Sequence, residues 1–443
     1  MRVFMLGWEF PPFISGGLGT ACQGLTKGLC EIGVDVIFVL PQAVPVGTTS
    51  HVKFRSPTNL VESTREVQEE FIRTTEGLTV HRLSALLQPY GTPRSYEEMI
   101  KELMKQPEVI RKLLPQLLSV SSPSSGLPVG TIGGTPGQYQ GDLMGQVNKY
   151  ARLAVEMARR ERFDVVHAHD WMTYPAGVAA AAATGRPLVV HVHSTEFDRS
   201  GENVNQQVYD IERAGMHAAS KVVCVSHFTR NIVLSRYGVP AEKVEVVYNA
   251  VEIPDGNNFI APIRHTEKIV LFLGRVTMQK GPEYFLQAAR KVVDKFPDVR
   301  FVMAGSGDMI TQCIRLAADL KLGGHVTFTG FLRGNDVARI YQMADLYVMP
   351  SVSEPFGIAP LEAISHNVPV IISKTSGVSE VLTHALKVDF WDIDEMANKI
   401  LAVLRHAPLQ KTLRQHGQIE LRKLSWKDSA VKLAEIYQSI AKG

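Results

Sequence analysis

Short apolar runs rich in β-branched residues alternate with helical segments along almost the whole chain. Strands are predicted in the first half at residues 3–6, 34–40, 165–167, 188–193 and 221–225, and in the second half at 268–273, 300–304, 325–329, 346–349 and 368–372. Apolar strands that are separated by helices form parallel sheets covered on both faces. The sequence therefore predicts an α/β protein built from doubly wound parallel sheets.

The domain organisation follows from a break in this series. With 443 residues the chain is too long for one ordinary domain. The strands restart near Lys268, after a turn-rich stretch at residues 254–258. We predict an N-terminal domain at residues 1–252 and a second domain at residues 263–425. A last helix within residues 426–443 can belong to either domain and is a candidate to pack back on the first.

One segment departs from the alternation, at about residues 107–141. It contains clusters of Ser, Pro and Gly, a composition that cannot bury much apolar surface. We predict that it is a mobile excursion from the first domain.

The overall composition narrows the class of protein. Hydrophobic residues make up 45% and charged residues 21%, as in ordinary globular proteins. The net charge of +3 gives no case for nucleic-acid binding. The four cysteines form no CxxC pair, no run reaches membrane-spanning length, and the N-terminal apolar run is too short for a secretion signal. A cytoplasmic protein is expected, while peripheral membrane contact and the oligomeric state stay open.

The stretch 353–362 of the second domain has the most specific pattern. It follows a predicted buried strand and enters a helix that we expect to begin at Pro360. Residues 356–358 then lie at the helix N-terminus, where free N–H groups favour an anion. Glu354 and Glu362 flank them, and carboxylates are good acceptors for sugar hydroxyls. The segment indicates a ligand that carries both phosphate and sugar.

Two further loops leave strands of the same predicted sheet. Arg275 and Lys280 lie in an exposed strand-to-helix loop, and two cations with glycine freedom suit a diphosphate. Gly305 and Gly307 lie in a third loop, where small residues would let a nucleoside approach the backbone. A doubly wound sheet binds its ligand at the edge where these loops meet.

The first domain has a glycine loop of its own. Gly16 and Gly17 lie between the first strand and a helix predicted to begin near Ala21. A dinucleotide fingerprint is the rival interpretation. It fails because the third glycine is missing and the second strand ends without an acidic residue. A tight strand-to-helix turn explains the glycines equally well.

Histidines follow two neighbouring strands of the first domain. Strand alternation places His191 and His193 on one face, with His193 at the rim of the sheet and His191 buried. His169 and Asp170 end the neighbouring strand, which also contains His167. Histidines on neighbouring strands raise the question of a metal site, but no Glu or Cys completes a plausible ligand set. No metal is predicted.

The motifs together resemble the retaining glycosyltransferases of GT-B architecture, specifically family 4 and the neighbouring glycogen and starch synthases. The specific part is Glu354 followed by Glu362 with seven residues between them, preceded by Arg275 and Lys280. The resemblance spans nearly the whole chain. It implies two Rossmann-like domains facing across a cleft, the first for the acceptor and the second for a nucleotide-sugar donor.

Residue roles follow from the resemblance alone. It implies that Arg275 and Lys280 hold the donor diphosphate, that Glu362 contacts the ribose, that Glu354 faces the transferred sugar, and that His193 lies beside the reacting centre. The catalytic residues implied are His193, Arg275, Lys280 and Glu354; the donor-binding residues are Gly16, Gly17, Gly305, Gly307, Phe356, Gly357, Ile358 and Glu362; and the residues on the acceptor side are His169 and Asp170.

The expected function is transfer of a hexosyl unit from a nucleotide diphosphate sugar to a sugar, glycan or lipid-linked acceptor. Two fixed cations can stabilise the departing diphosphate, so neither a metal nor a cofactor is expected. The alternatives are an α-glucan elongating enzyme similar to glycogen synthase and a non-catalytic protein that binds nucleotide sugars or glycans. The synthases typically have a lysine two residues before the second glycine of the first loop, and this chain has Ser15 there.

Overall fold

The computed structural model describes residues 1–10, 16–41, 78–83, 143–253 and 267–441. The predicted excursion at 107–141 and the turn-rich stretch at 254–258 lie outside the described residues. Two parallel sheets with helices packed around them confirm the predicted α/β, doubly wound architecture. No helix in the described part of the chain is long and apolar enough to cross a membrane.

The first sheet has seven strands in the order β3-β2-β1-β4-β5-β6-β7. Its strands are β1 (Arg2–Leu6), β2 (Asp35–Pro41), β3 (Leu78–Leu83), β4 (Val165–His169), β5 (Leu188–Val192), β6 (Lys221–Cys224) and β7 (Val244–Val246). The helices of this half are α1 (Gly17–Glu31), α2 (Leu143–Ala158), α3 (Tyr174–Thr184), α4 (Glu196–Ser200), α5 (Gln206–Ala218) and α6 (His227–Tyr237). Strands β1, β4 and β5 are buried along nearly their whole length, as parallel strands between helical layers must be.

The second sheet has six strands in the order β10-β9-β8-β11-β12-β13. They are β8 (Lys268–Leu273), β9 (Val299–Ala304), β10 (Val326–Gly330), β11 (Leu346–Met349), β12 (Val370–Ser373) and β13 (Leu386–Val388). The helices are α7 (Pro282–Val293), α8 (Ile310–Asp319), α9 (Asn335–Met343), α10 (Ile358–Ser365), α11 (Ile393–Arg405), α12 (Ala407–Leu421) and α13 (Trp426–Ala441). The order of strands reverses between β8 and β11, which places a topological switch point there.

Two helices begin earlier than the sequence predicts. Helix α10 begins at Ile358 instead of Pro360, after Gly357 adopts a left-handed conformation with φ of 101°. The first N–H groups of a helix have no partner within it, so proline is tolerated at the third position. Helix α1 begins at Gly17 instead of near Ala21. Glu362 accordingly lies in the second turn of its helix and not in the first.

The last helix, α13, packs on α1 of the first half. Gly24 and Gly28 of α1 make this possible: a Cβ at Gly24 would lie 2.2 Å from the Trp426 ring, and one at Gly28 would lie 2.6 Å from the Trp426 carbonyl oxygen. Further along α13, the buried Tyr437 hydroxyl lies 2.5 Å from His167 Nδ1 on β4. The chain therefore returns from the second sheet to cover the first.

The two halves also meet directly beside residues 353–358. Ser226 at the N-terminus of α6 donates a hydrogen bond of 2.5 Å to the carbonyl of Pro355. The Glu380 carboxylate accepts from the backbone N–H groups of His227 (3.0 Å) and Phe228 (2.7 Å), so it caps α6 from the opposite half. These contacts fix the position of the 353–358 loop against the first sheet.

Candidate active site

An ion pair lies at the carboxyl edge of the second sheet. Lys280 Nζ lies 2.5 Å from Glu354 Oε2, and the Ser351 hydroxyl donates to the same oxygen at 3.2 Å. The expectation that Lys280 is exposed in an open loop is wrong. It ends a short 3₁₀ helix (Met278–Lys280) and its side chain is only 22% exposed. The Glu354 side chain is 8% exposed, so without this partner the buried carboxylate would have no compensating charge.

The backbone explains why the two residues meet. The N–H of Val352 donates to the Gln279 carbonyl at 2.9 Å, which joins the loop after β11 to the 3₁₀ helix after β8. Glu354 itself forms a parallel bridge with Ser376, and its N–H donates to the Thr375 carbonyl at 3.0 Å. Three loops therefore hold the Glu354 backbone and the lysine opposite it.

Arg275 lies five residues before Lys280 on the same edge. Its guanidinium donates to the Gln279 side chain at 3.3 Å and is partly buried. It is also close enough to Glu9 of the first half to lower the pKa of that carboxyl in part. The loops that carry Arg275, Lys280 and Glu354 therefore meet at one edge, and Arg275 lies within electrostatic range of the opposite half.

Glu362 occupies a different setting from Glu354. It accepts a hydrogen bond of 3.0 Å from the hydroxyl of Tyr341 on α9. Burial raises the pKa of Glu362, and the hydrogen bond from Tyr341 partly opposes this. The helix therefore presents a carboxyl whose position is fixed by a tyrosine of the neighbouring helix.

Phe356 and Ile358 bury their side chains, with exposed fractions of 2% and 8%. The Phe356 carbonyl accepts from Val378 N–H at 2.6 Å. Gly357 lies between them, and its left-handed φ would strain any other residue. Only the backbone of this segment is then available to a ligand. Its backbone N–H groups are likewise the part that the sequence predicts to bind the ligand.

Gly305 and Gly307 make room for a neighbouring loop. A Cβ at Gly305 would lie 1.8 Å from the Gly274 carbonyl oxygen, and one at Gly307 would lie 2.2 Å from the Val276 carbonyl oxygen. The Val276 N–H donates to the Ser306 carbonyl at 2.9 Å across the same gap. The close approach of the loops after β8 and β9 is by itself a sufficient reason for both glycines.

The N-terminus of α1 holds a carboxylate from the same half. Glu9 Oε2 accepts from the Gly19 N–H at 3.0 Å, and a Cβ at Gly16 would lie 2.7 Å from that oxygen. Glu9 is 4% exposed, and burial raises its pKa to about 7. Gly17 is exposed with open space beside it. No role is predicted for Glu9 from the sequence, although an acid between the large aromatic residues Trp8 and Phe10 is itself a signal.

His193 follows the end of β5 and is partly buried. Its Nε2 lies 2.9 Å from His169 Nδ1, and burial lowers its pKa to about 3, so the ring is neutral. Asp170, with φ of 59°, accepts from the backbone N–H groups of His193 (2.8 Å) and Ser194 (3.3 Å). The structure buries both His169 and Asp170, so they support His193 from behind.

A buried acidic residue that the sequence analysis did not single out links this loop to the second half. Asp198 on α4 forms a capping box with Thr195, and its other oxygen accepts from the Ser353 hydroxyl at 2.6 Å. Arg199, next to it, pairs with Glu196 at 3.1 Å and with Glu212. The loop of His193 and the loop of Glu354 are therefore connected through Asp198 and Ser353.

Three family models match consecutive parts of this chain. Residues 256–419 match "Glycosyl transferases group 1", residues 140–253 match "Glycosyltransferase Family 4", and residues 2–105 match "Starch synthase catalytic domain". The residues of the ion pair, Lys280 and Glu354, fall in the first of these regions.

Two relatives align over almost their whole lengths. An uncharacterised glycosyltransferase of Methanocaldococcus jannaschii is 28% identical, with 99% of this chain and 98% of that protein covered. The glycogen synthase of Mycobacterium tuberculosis is 24% identical, with 100% and 96% covered. Among solved structures, Anabaena HepE in complex with UDP and glucose superimposes with a TM-score of 0.66 at 18% identity, covering 99% of this chain and 100% of that chain. At this identity the structural likeness concerns the fold.

Proposed function

Because the chain belongs to the GT-B glycosyltransferases related to family 4 and the glycogen and starch synthases, we propose that it is a retaining, nucleotide-sugar-dependent hexosyltransferase. The donor is a nucleotide diphosphate sugar and the acceptor is a sugar, glycan or lipid-linked sugar. The observation that carries the proposal is the Lys280–Glu354 pair beside Arg275, on the sheet edge that faces the His193 loop.

The two cations fit the charge that develops when the donor bond breaks. A departing nucleoside diphosphate accumulates negative charge, and fixed positive groups in a site of low dielectric constant stabilise it as it forms. Arg275 and Lys280 supply these groups without a metal at the diphosphate. The N–H groups that begin α10, after Gly357, add a second stabilising element.

The ion pair gives Lys280 a second role. Without donor, the lysine neutralises Glu354, whose side chain is almost fully buried. When a diphosphate binds, Lys280 turns to the phosphate oxygens. Glu354 then accepts hydrogen bonds from hydroxyls of the sugar being transferred. One movement therefore couples leaving-group binding to sugar recognition.

His193 lies on the other side of the reacting centre in this proposal. The ring is neutral because burial lowers its pKa to about 3, so it can hydrogen-bond a hydroxyl without adding charge. Asp170 holds the backbone of His193, and Asp198 joins that loop to Ser353 of the donor side. The acceptor binds mainly to the first half.

UDP-sugars are the first donors to test, since HepE, which shares the fold, has been solved with UDP and with UDP-glucose. A second candidate function is elongation of an α-glucan from ADP-glucose. It is favoured by the full-length alignment with a glycogen synthase and by the match of residues 2–105 to the starch synthase domain.

The experiment is a donor panel. The purified protein is incubated with UDP-, ADP- and GDP-hexoses and with monosaccharide, glucan and lipid-linked acceptors, and nucleotide release is measured. Proton NMR of the product reports whether the anomeric configuration is retained. Added Mg²⁺ or Mn²⁺ should not stimulate turnover. Binding of a nucleotide sugar with no release for any acceptor would instead favour the non-catalytic binding protein.

A further inference from the structure

Three buried histidine rings meet on one face of the first sheet, behind His193. His167 and His169 lie on β4, and His191 lies beside them on β5, paired in register with His169. One ring nitrogen from each of the three lies within 4.8 Å of the other two. We propose that His167, His169 and His191 bind one transition-metal ion, with Zn²⁺ as the first candidate.

Several nitrogens of these rings have no hydrogen-bond partner in the described part of the chain. His167 Nε2, His169 Nε2 and both nitrogens of His191 are buried and have no hydrogen-bond partner among the described residues. The three side chains are at most 1% exposed. Buried polar atoms of native proteins are almost always paired, so several lone nitrogens on three neighbouring rings need an explanation. A shared metal ion would engage three of the four.

The Nδ1 atoms of His167 and His169 contact side chains outside the group of three. His167 Nδ1 lies 2.5 Å from the Tyr437 hydroxyl, and His169 Nδ1 lies 2.9 Å from His193 Nε2. Metal-binding histidines typically engage their second nitrogen in such a contact, which fixes the tautomer and the ring orientation. When each Nδ1 donates, each Nε2 is left with the lone pair that a metal requires.

The donor set determines the class of ion. Imidazole nitrogen suits Zn²⁺, Cu²⁺, Ni²⁺ and Fe²⁺, while Mg²⁺ and Ca²⁺ prefer oxygen. A histidine ligates a metal through the lone pair of a neutral imidazole nitrogen, and the nitrogens of the three rings that are unpartnered within the described ranges can supply such lone pairs. Three histidines with a water as fourth ligand form a known zinc coordination, so a Glu or Cys ligand is not required.

The three rings must move closer and rotate to bind one ion. Bonds of about 2.1 Å in a tetrahedral site place ligand nitrogens roughly 3.4 Å apart. The nitrogens of the three rings lie within 4.8 Å, and their ring centroids are 4.4 to 5.4 Å apart. The planes of neighbouring rings are inclined by only 23° to 37°, so the side chains must also rotate before their lone pairs point at one ion.

The site is separate from the proposed donor chemistry, which uses Arg275 and Lys280 on the second sheet. The ion would fix the stack of histidines under the His193 loop and the contact of α13 through Tyr437. Binding of the ion is measured without a sugar donor. The result is therefore independent of whether the chain transfers sugar.

The experiment uses the full chain, purified without a polyhistidine tag and stripped with a chelator. Equilibrium dialysis with Zn²⁺ and elemental analysis should give one tightly bound ion per chain, and the Tm should rise with Zn²⁺. The variant His191→Leu should weaken binding by at least tenfold. It should fold, because His191 has no hydrogen-bond partner among the described residues. His416→Leu, a histidine outside the group, is the matched control and should bind as the wild type does.

Spectroscopy of the wild type keeps the test independent of the variants. Cu²⁺ bound at one equivalent should show electron paramagnetic resonance couplings from several imidazole nitrogens, and Co²⁺ should give the strong visible absorption of a tetrahedral site. Absence of a stoichiometric ion in the wild type would overturn the proposal. Unchanged binding by His191→Leu, or a Cu²⁺ spectrum without imidazole nitrogen, would also overturn it.

Discussion

Lys280 Nζ and Glu354 Oε2 lie 2.5 Å apart, in a pair that is largely withdrawn from solvent. Neither residue can be changed without affecting the other, because a buried carboxylate without its cation is costly. In the proposed function, a donor diphosphate competes with Glu354 for this lysine. The proposal therefore couples catalysis and stability at this point of the second sheet.

The first prediction concerns turnover. Lys280→Met should lower turnover by at least tenfold with the best donor, a loss of about 1.4 kcal/mol or more of transition-state stabilisation. Lys291→Met is the matched control, since Lys291 forms an exposed pair with Asp394. The measurement is the steady-state rate of nucleotide release by the two variants and the wild type. Equal rates for both variants would remove Lys280 from the site.

The second prediction concerns stability. Lys280→Met should lower the Tm, because Glu354 then keeps a buried charge without its partner. Adding Glu354→Gln to Lys280→Met should recover part of the loss, whereas two independent sites would simply add their costs. Thermal unfolding of the two single variants and the double variant measures the coupling. Additive changes in Tm would show that the pair does not matter for stability.

The sequence was sufficient to predict both sheets and the meeting of three loops at one edge. Buried parallel strands such as β5 and β11 are short apolar runs, and their carboxyl ends lie at the same edge of their sheet by topology. The edge strands β3, β7 and β13 were not predicted. All three are paired on one side only. The strands β7 and β13 have three residues each, and β3 mixes apolar residues with Thr, His and Arg, so the apolar signal is weak.

The pairings within the site were beyond the sequence. Glu9 reaches the N-terminus of α1, Glu380 caps α6 from the other half, and Asp198 meets Ser353 across the two halves. Each contact joins residues that no local pattern relates. Gly305 is a further example. It is required because the backbone of a neighbouring loop lies against it, and only the fold brings that loop close.

The third prediction concerns the return of α13 onto α1. Gly24→Ala should lower the free energy of unfolding by about 1–3 kcal/mol, because its Cβ would lie 2.2 Å from the Trp426 ring in a packed interface. Gly323→Ala is the control, since a Cβ there meets nothing within 4 Å. Chemical denaturation of both variants tests the difference. Similar losses for the two would show that α13 does not depend on close contact with α1.

The fourth prediction concerns pH. Burial raises the pKa of Glu9 from 4.5 to about 7, so between these values the folded protein binds a proton that the unfolded chain has released. The contribution of Glu9 to stability is therefore complete below pH 4.5 and is lost as the pH rises through 7. A shift of this size corresponds to about 3 kcal/mol.

Glu9→Gln tests this directly, because the amide oxygen can still accept from the Gly19 N–H but does not ionise. We expect the variant to gain stability over the wild type as the pH rises from 5 to 8, with the two similar near pH 5. Denaturant unfolding at several pH values gives the difference in unfolding free energy between the two proteins. The contributions of titrating groups that both proteins share cancel in this difference. A difference that stays constant with pH would mean that Glu9 does not titrate in this range, and that Arg275 across the cleft keeps it ionised.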